Sequence, residues 1–146
     1  MNKSRETVFR RIKNAGFSFS TFVHPTACIS PSCHIGEGNI ILENVTIQPY
    51  VTMGDGNIFW SNTTICHHSE IGNFNFFAAS SCVLGRVTIR DRIFFGAHAT
   101  AKNRITIESD SLIGAAAYVD KDTPPASVIV PSRSVALSKK SCDFTL

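Results

Sequence analysis

Every sixth residue from Val23 to Val119 is apolar, without a break: Val23, Ile29, Ile35, Ile41, Ile47, Met53, Phe59, Ile65, Ile71, Phe77, Val83, Ile89, Phe95, Ala101, Ile107, Ile113 and Val119. Apolar residues make up 43% of the chain, so a run of this length arises by chance about once in a million registers. The position four residues further on, from Ala27 through Asn39, Val45, Asn57 and Ser81 to Thr123, holds no charge, aromatic ring, Gly or Pro. A six-residue period predicts short parallel strands, each followed by a corner, with the apolar residue pointing inward. Three hexads close one coil, and coils stack at about 4.8 Å. The series gives between five and six coils and a prism about 27 Å tall. An amphipathic helix would need apolar residues at i, i+3 and i+4, which the repeat does not supply, and its Asn, Gly and β-branched content disfavours helix as well.

Two flanks border the repeat. Residues 4–15 read as one amphipathic helix, with Ser4 as cap, Val8, Phe9, Ile12 and Ala15 on one face, and Gly16 as its end. The expected organisation is a helix and linker over 1–21, a β-helix over 22–124, and a tail over 125–146 that holds a short apolar strand at 128–130. So strict a period resembles the left-handed parallel β-helix, an all-β fold. That hand departs from the right-handed rule for parallel crossovers, and it follows from the resemblance alone.

Outward positions also recur, once per coil. Phe22, Ile40, Ile58, Phe76, Phe94 and Leu112 form one large apolar column, expected on an outward corner. A stripe of that length on a small soluble body marks an interface, and a closed homotrimer is the expected assembly for three-sided bodies with parallel axes. A second column runs Pro25, Glu43, Ser61, Ala79, Ala97 and Ala115, beside Thr26, Asn44, Asn62, Ser80, His98 and Ala116. Its small upper half predicts a shallow groove lined by backbone amides and suited to a thin ligand. The third column is Pro31, Pro49, His67, Gly85, Asn103 and Lys121. There a possible general base lies one coil, about 4.8 Å, from a glycine amide with no side chain to shield it.

Composition narrows the classes. The 146 residues make one core, with no apolar run of membrane-spanning length and no signal-peptide pattern. A net charge of +3 is too small and scattered for nucleic acid. Five cysteines (Cys28, Cys33, Cys66, Cys82 and Cys142) are odd in number and lack a C-x-x-C pair, which points to a reducing, cytoplasmic setting.

The segments Ile65-Cys-His-His-Ser-Glu-Ile-Gly72 and Phe77-Ala-Ala-Ser-Ser-Cys-Val-Leu-Gly-Arg-Val87 resemble the core of bacterial sugar acetyltransferases. The relevant types are the sialic-acid O-acetyltransferases and the N-acetyltransferases of nucleotide-linked amino sugars. Phe22-Val-His-Pro-Thr-Ala27, Leu112-Ile-Gly-Ala-Ala-Ala117 and Val130-Pro-Ser-Arg133 resemble that family's boundaries, so the likeness spans about residues 20–135. It implies acetyl transfer from acetyl-CoA to a sugar amine or hydroxyl, with no metal. His67 takes the role of catalytic base and Gly85 that of the oxyanion amide. Cofactor contacts fall on Gly85, Ala97, Ala115, Asn103 and Arg133, the pantetheine arm running between one subunit's His67 face and its neighbour's alanine column. Lys102, Arg104 and Arg133 stand where CoA phosphates would be met.

Two departures qualify the likeness. The family places Asp or Glu directly after its catalytic His, whereas this chain has His68, with Glu70 and Asp91 as candidate substitutes. Many relatives also carry an N-terminal α/β domain that holds the nucleotide-sugar, of which residues 4–22 resemble only the end. Three alternatives therefore stay open: a non-catalytic structural prism, a truncated acyltransferase without an acceptor site, and a γ-type carbonic anhydrase. The last needs three His on one zinc, but His24, His34, His67, His68 and His98 lack that spacing, and neighbours such as His67 and His68 point apart in an extended segment.

Overall fold

The computed structural model describes residues 2–132 and residue 138. After helix α1 (Asn2–Asn14), two-residue strands follow one another and each pairs in parallel with the strand one coil on. Three sheets result: A with seven strands, B with six and C with five. The register is one full coil of three hexads, as in Phe22↔Ile40 (A), Cys28↔Thr46 (B) and His34↔Thr52 (C). The chain is thus a parallel β-helix with three flat faces and three corners: A-to-B, B-to-C and C-to-A.

The six-residue period has a backbone cause. Every sixth residue from Gly38 to Ala116 has positive φ, and all but Gly38 and Gly56 carry a side chain there. A left-handed conformation costs a non-glycine residue about 1 kcal/mol. Each corner offsets this with a bond to the coil before, such as Asn62 N–H to Glu43 O at 3.0 Å or Ala116 N–H to Ala97 O at 2.8 Å. The turn also sends two residues per hexad inward. One is the apolar series, buried from Ile41 onward. In the first coil Val23 is 42% exposed because nothing stacks beneath it. The other is the restricted position four residues on, whose Asn39, Val45, Asn57, Thr63 and Val87 are all fully buried.

At the C-to-A corner that second row is a ladder of asparagines. Asn57 donates from its backbone to Asn39 Oδ1 (2.8 Å) and from Nδ2 to Gly72 O (2.9 Å), while its own Oδ1 accepts from Asn75 N–H (2.9 Å). Removing one rung strands several buried polar groups, each worth about 1–3 kcal/mol. Asn57→Leu is therefore expected to cost about 3–5 kcal/mol in urea unfolding. A loss under about 1 kcal/mol would show that the ladder adds nothing to stability.

Three expectations change. Helix α1 begins before Ser4, so Ser4 lies in the first turn instead of capping it. Its end is as read: Gly16 (φ +89) donates to Lys13 O, and Phe17 N–H reaches Ile12 O, the 5→2 and 6→1 pair of a Schellman cap. The apolar column from Phe22 to Leu112 sits on the flat outer face of sheet A, not on a corner. Finally, the hexad pattern lapses after Val119 but the coil continues. Thr123 bridges Ile107 and Val128 pairs Leu112, each short of the full three-hexad step. A tightened B-to-C corner thus carries the last strand (Val128–Ile129) onto sheet A beyond residue 124.

Helix α1 lies over the C-to-A corner. Arg5 donates to Gly56 O (2.7 Å) and Phe74 O (3.0 Å), and burial pulls its pKa down. Phe9 stacks on Phe19 (4.2 Å) and meets Phe74 edge-on. Glu6 reaches Arg92, whose guanidinium also grips Asp110 in two bonds, holding its charge. A cavity of about 550 Å³ remains between the helix and the lower part of sheet A. The upper face, with half-buried Phe76 and Phe94 and exposed Leu112, stays open. No helix among the described residues is long and apolar enough to cross a membrane.

Candidate active site

A cleft of about 370 Å³ on the B-to-C corner is lined by Gln48, Cys66, His67, Leu84, Gly85, Arg86, Asn103 and Arg104. It is smaller than the cavity beside α1, whose lining is mostly apolar and whose only ionisable side chain is that of Arg5. The chemistry lies in the smaller cleft. His67 follows the sheet B strand Thr64–Ile65, and its backbone is held on both sides: its N–H donates to Gln48 Oε1 (3.1 Å) and its carbonyl accepts from Arg86 N–H (3.0 Å).

The imidazole of His67 folds over Gly85. A methyl carbon on Gly85 would lie 2.8 Å from His67 Cε1 and 2.9 Å from Nε2. Glycine is needed here for space, since Gly85 is not among the positive-φ residues. Leu84 N–H bonds Ala101 O and Arg86 N–H bonds His67 O, whereas the Gly85 N–H between them has no acceptor among the described residues. The same holds for the N–H groups of Ala97 and Ala115, whose neighbours Gly96, His98, Gly114 and Ala116 are all bonded. Gly85 on one corner and Ala97 and Ala115 on another thus each offer a free donor under little or no side chain, whereas the equivalent N–H groups of His67, Asp55 and Asn73 are taken by side-chain oxygens.

The site residues expected from sequence separate into three groups. His67, Gly85 and Asn103 come together in the cleft. Ala97 and Ala115 lie on the A-to-B corner, at the opposite edge of sheet B. Arg133 is outside the described residues. Of the basic side chains, Arg104 lines the cleft and Lys102 does not. Sequence reading missed Gln48 and Arg86. Arg86 belongs to the once-per-coil column Ser32, Tyr50, His68, Arg86 and Arg104, which was there to be read beside the His67 column.

His67 and His68 do not point apart. His68 has φ +58, and this left-handed turn swings the two rings together, with Nδ1 to Nδ1 at 3.1 Å. The Tyr50 ring packs on His68 from the coil below, 4.9 Å away. The two substitute acids are elsewhere. Asp91 accepts from Asn73 N–H (2.7 Å) and Nδ2 (3.0 Å) at the C-to-A corner, and Glu70 is an exposed outward residue of sheet C. Burial, with Cys82 close by, pushes the Cys66 thiol up, which keeps it protonated near neutrality and no rival to His67.

Residues 32–67 match the model of the bacterial transferase hexapeptide (six repeats). Within that stretch the chain carries the hexapeptide repeat of the family model. Its fold is the left-handed parallel β-helix of that family. It is similar to a mutant perosamine N-acetyltransferase from Caulobacter crescentus, solved in complex with CoA and GDP-perosamine: TM-score 0.86, 27% identity, 90% of this chain and 66% of that one. Two further structures share the fold. The acetyltransferase domain of PglB from Neisseria gonorrhoeae has TM-score 0.86, 24% identity, and coverage of 90% and 66%. WeeI from Acinetobacter baumannii has TM-score 0.84, 20% identity, and coverage of 89% and 64%. The chain therefore spans about two thirds of the length of these proteins. No curated protein matches its sequence significantly.

Proposed function

We propose that this chain transfers an acetyl group from acetyl-CoA to an amine or hydroxyl of a sugar, with His67 as general base. The observation that carries this reading is the His67 imidazole folded over Gly85, whose N–H has no acceptor among the described residues. His67 Nε2 takes the proton of the acceptor as its nitrogen or oxygen attacks the thioester carbon. The Gly85 N–H faces the carbonyl oxygen as it becomes negative. The C–S bond then breaks, and His67 returns the proton to the departing thiolate. The likeness to an N-acetyltransferase solved with CoA and a nucleotide-linked amino sugar supports both the donor and the acceptor class.

The remaining contacts extend the same reading. Free amides at Ala97 and Ala115 suit the amide-bearing pantetheine arm, and Asn103 and Arg104 line the cleft at the next coil. Arg133 keeps its role as a phosphate contact from the sequence likeness alone. The His67 and alanine corners flank sheet B within one subunit, so a ligand that bridges them takes one corner from each of two subunits. The alanine corner also borders apolar sheet A, so contact through that face carries it to a neighbour, and a homotrimer repeats this around an axis. Acetyl-CoA as donor and the free thiols of Cys28, Cys33, Cys66 and Cys82 fit a reducing cytoplasm.

The test is CoA release from acetyl-CoA, followed by chromatography because free thiols would react with a dye, across nucleotide-linked amino sugars and free sugars. Saturable release that depends on one acceptor is the expected result. Absence of both release and calorimetric acetyl-CoA binding would leave the structural prism as the better reading.

A further inference from the structure

We infer that His68 is the positioning residue of the His67 base, supplying with a neutral imidazole what an acidic side chain supplies in the family this chain resembles. The inference rests on His67 being the base. His67 Nδ1 and His68 Nδ1 are 3.1 Å apart, and the rings stand edge-on at 87°. Among the described residues no other titratable side chain is hydrogen-bonded to either ring, since Asp91 is committed to Asn73 and Glu70 lies exposed on sheet C. His68 is itself fixed. Its N–H bonds Pro49 O at 3.1 Å, its φ is +58, and Tyr50 packs against its ring.

Two facing Nδ1 atoms can bond only when a single proton lies between them. If His68 holds it, neutral His67 carries its own proton on Nε2 and cannot act as a base there. If His67 holds it, the Nε2 lone pair faces the cleft and His68 accepts at Nδ1 while keeping its proton on Nε2. Only the second arrangement serves catalysis. When His67 Nε2 takes the acceptor's proton, the Nδ1–H bond to His68 becomes charge-assisted and strengthens as the transition state forms. The proton then leaves from the same Nε2 to the thiolate, so His68 gains and loses nothing over a cycle.

The pairing is read by long-range proton–nitrogen spectra of the 15N-labelled full chain, recorded with both rings neutral. The expected result is His67 protonated on Nδ1 and bare on Nε2, reverting toward Nε2–H in His68→Gly. Glycine removes the ring without strain at this left-handed position, and Asp also tolerates it. In turnover, His68→Gly lowers kcat about 10- to 100-fold with both KM values within about twofold, the loss of one charge-assisted bond. His68→Asp restores wild-type kcat or exceeds it. A wild-type His67 protonated on Nε2, or a His68→Gly variant with unchanged tautomer and kcat, overturns the role. Failure of the base reading would look different: His67→Ala would keep its turnover whatever the tautomers show.

Discussion

His67→Ala is expected to lower kcat by about 10²- to 10⁴-fold, the usual worth of a positioned general base. The KM for acetyl-CoA should move little, because the donor's proposed contacts are backbone amides along the corners together with Asn103, Arg104 and Arg133, and not the His67 ring. Gly85→Ala should do comparable harm by another route. Its new methyl would stand 2.8–2.9 Å from Cε1 and Nε2 of His67, so the ring must leave the position in which it covers the amide. The fold should persist, since residue 85 is not left-handed and its neighbours keep their bonds to Ala101 and His67. Steady-state kinetics with a thermal melt of each variant separates the two effects. A His67→Ala enzyme within about threefold of wild type would place the base elsewhere.

The architecture was legible because a six-residue period leaves the backbone few options. The inward series and the three-hexad register follow from it, and the end of α1 was legible separately from Gly16 as a C-terminal glycine. Less legible was whatever depends on where a corner turns. Counting residues puts Phe22 to Leu112 in one column but cannot say whether that column is an edge or a face, and the structure places it on the face of sheet A. Counting also ended the prism too early. Thr123 and Val128 pair ahead of the full coil because one corner is shortened, and a fixed period is blind to that. The asparagines at 39, 57 and 75 registered only as small and uncharged. Their value is a ladder along the axis that exists once coils are stacked. At the site, the His67–Gly85 stack was visible from spacing, but the meeting of His67 and His68 was not. Extended-strand geometry sends neighbours apart, and the left-handed φ of His68 reverses this.

If the proposed homotrimer forms through sheet A, Phe94→Glu should convert it into a monomer and abolish turnover with it. Phe94 stacks on Phe76 with centroids 5.3 Å apart and planes within 4°, at the centre of the open part of sheet A. A carboxylate buried there between subunits would cost several kcal/mol without a partner, whereas on a free monomer it is simply solvated. Sedimentation should therefore shift from three times 15.9 kDa to 15.9 kDa. Phe94 also precedes Ala97 by three residues in the same coil, so loss of this contact withdraws the alanine corner from its neighbour's His67. Two inactive variants test that sharing directly. If His67 and Ala97 serve one site from different subunits, mixing His67→Ala with Ala97→Trp and reassembling should restore about a quarter of the sites. If both residues serve from the same subunit, no mixture regains activity, and the alanine corner has another use.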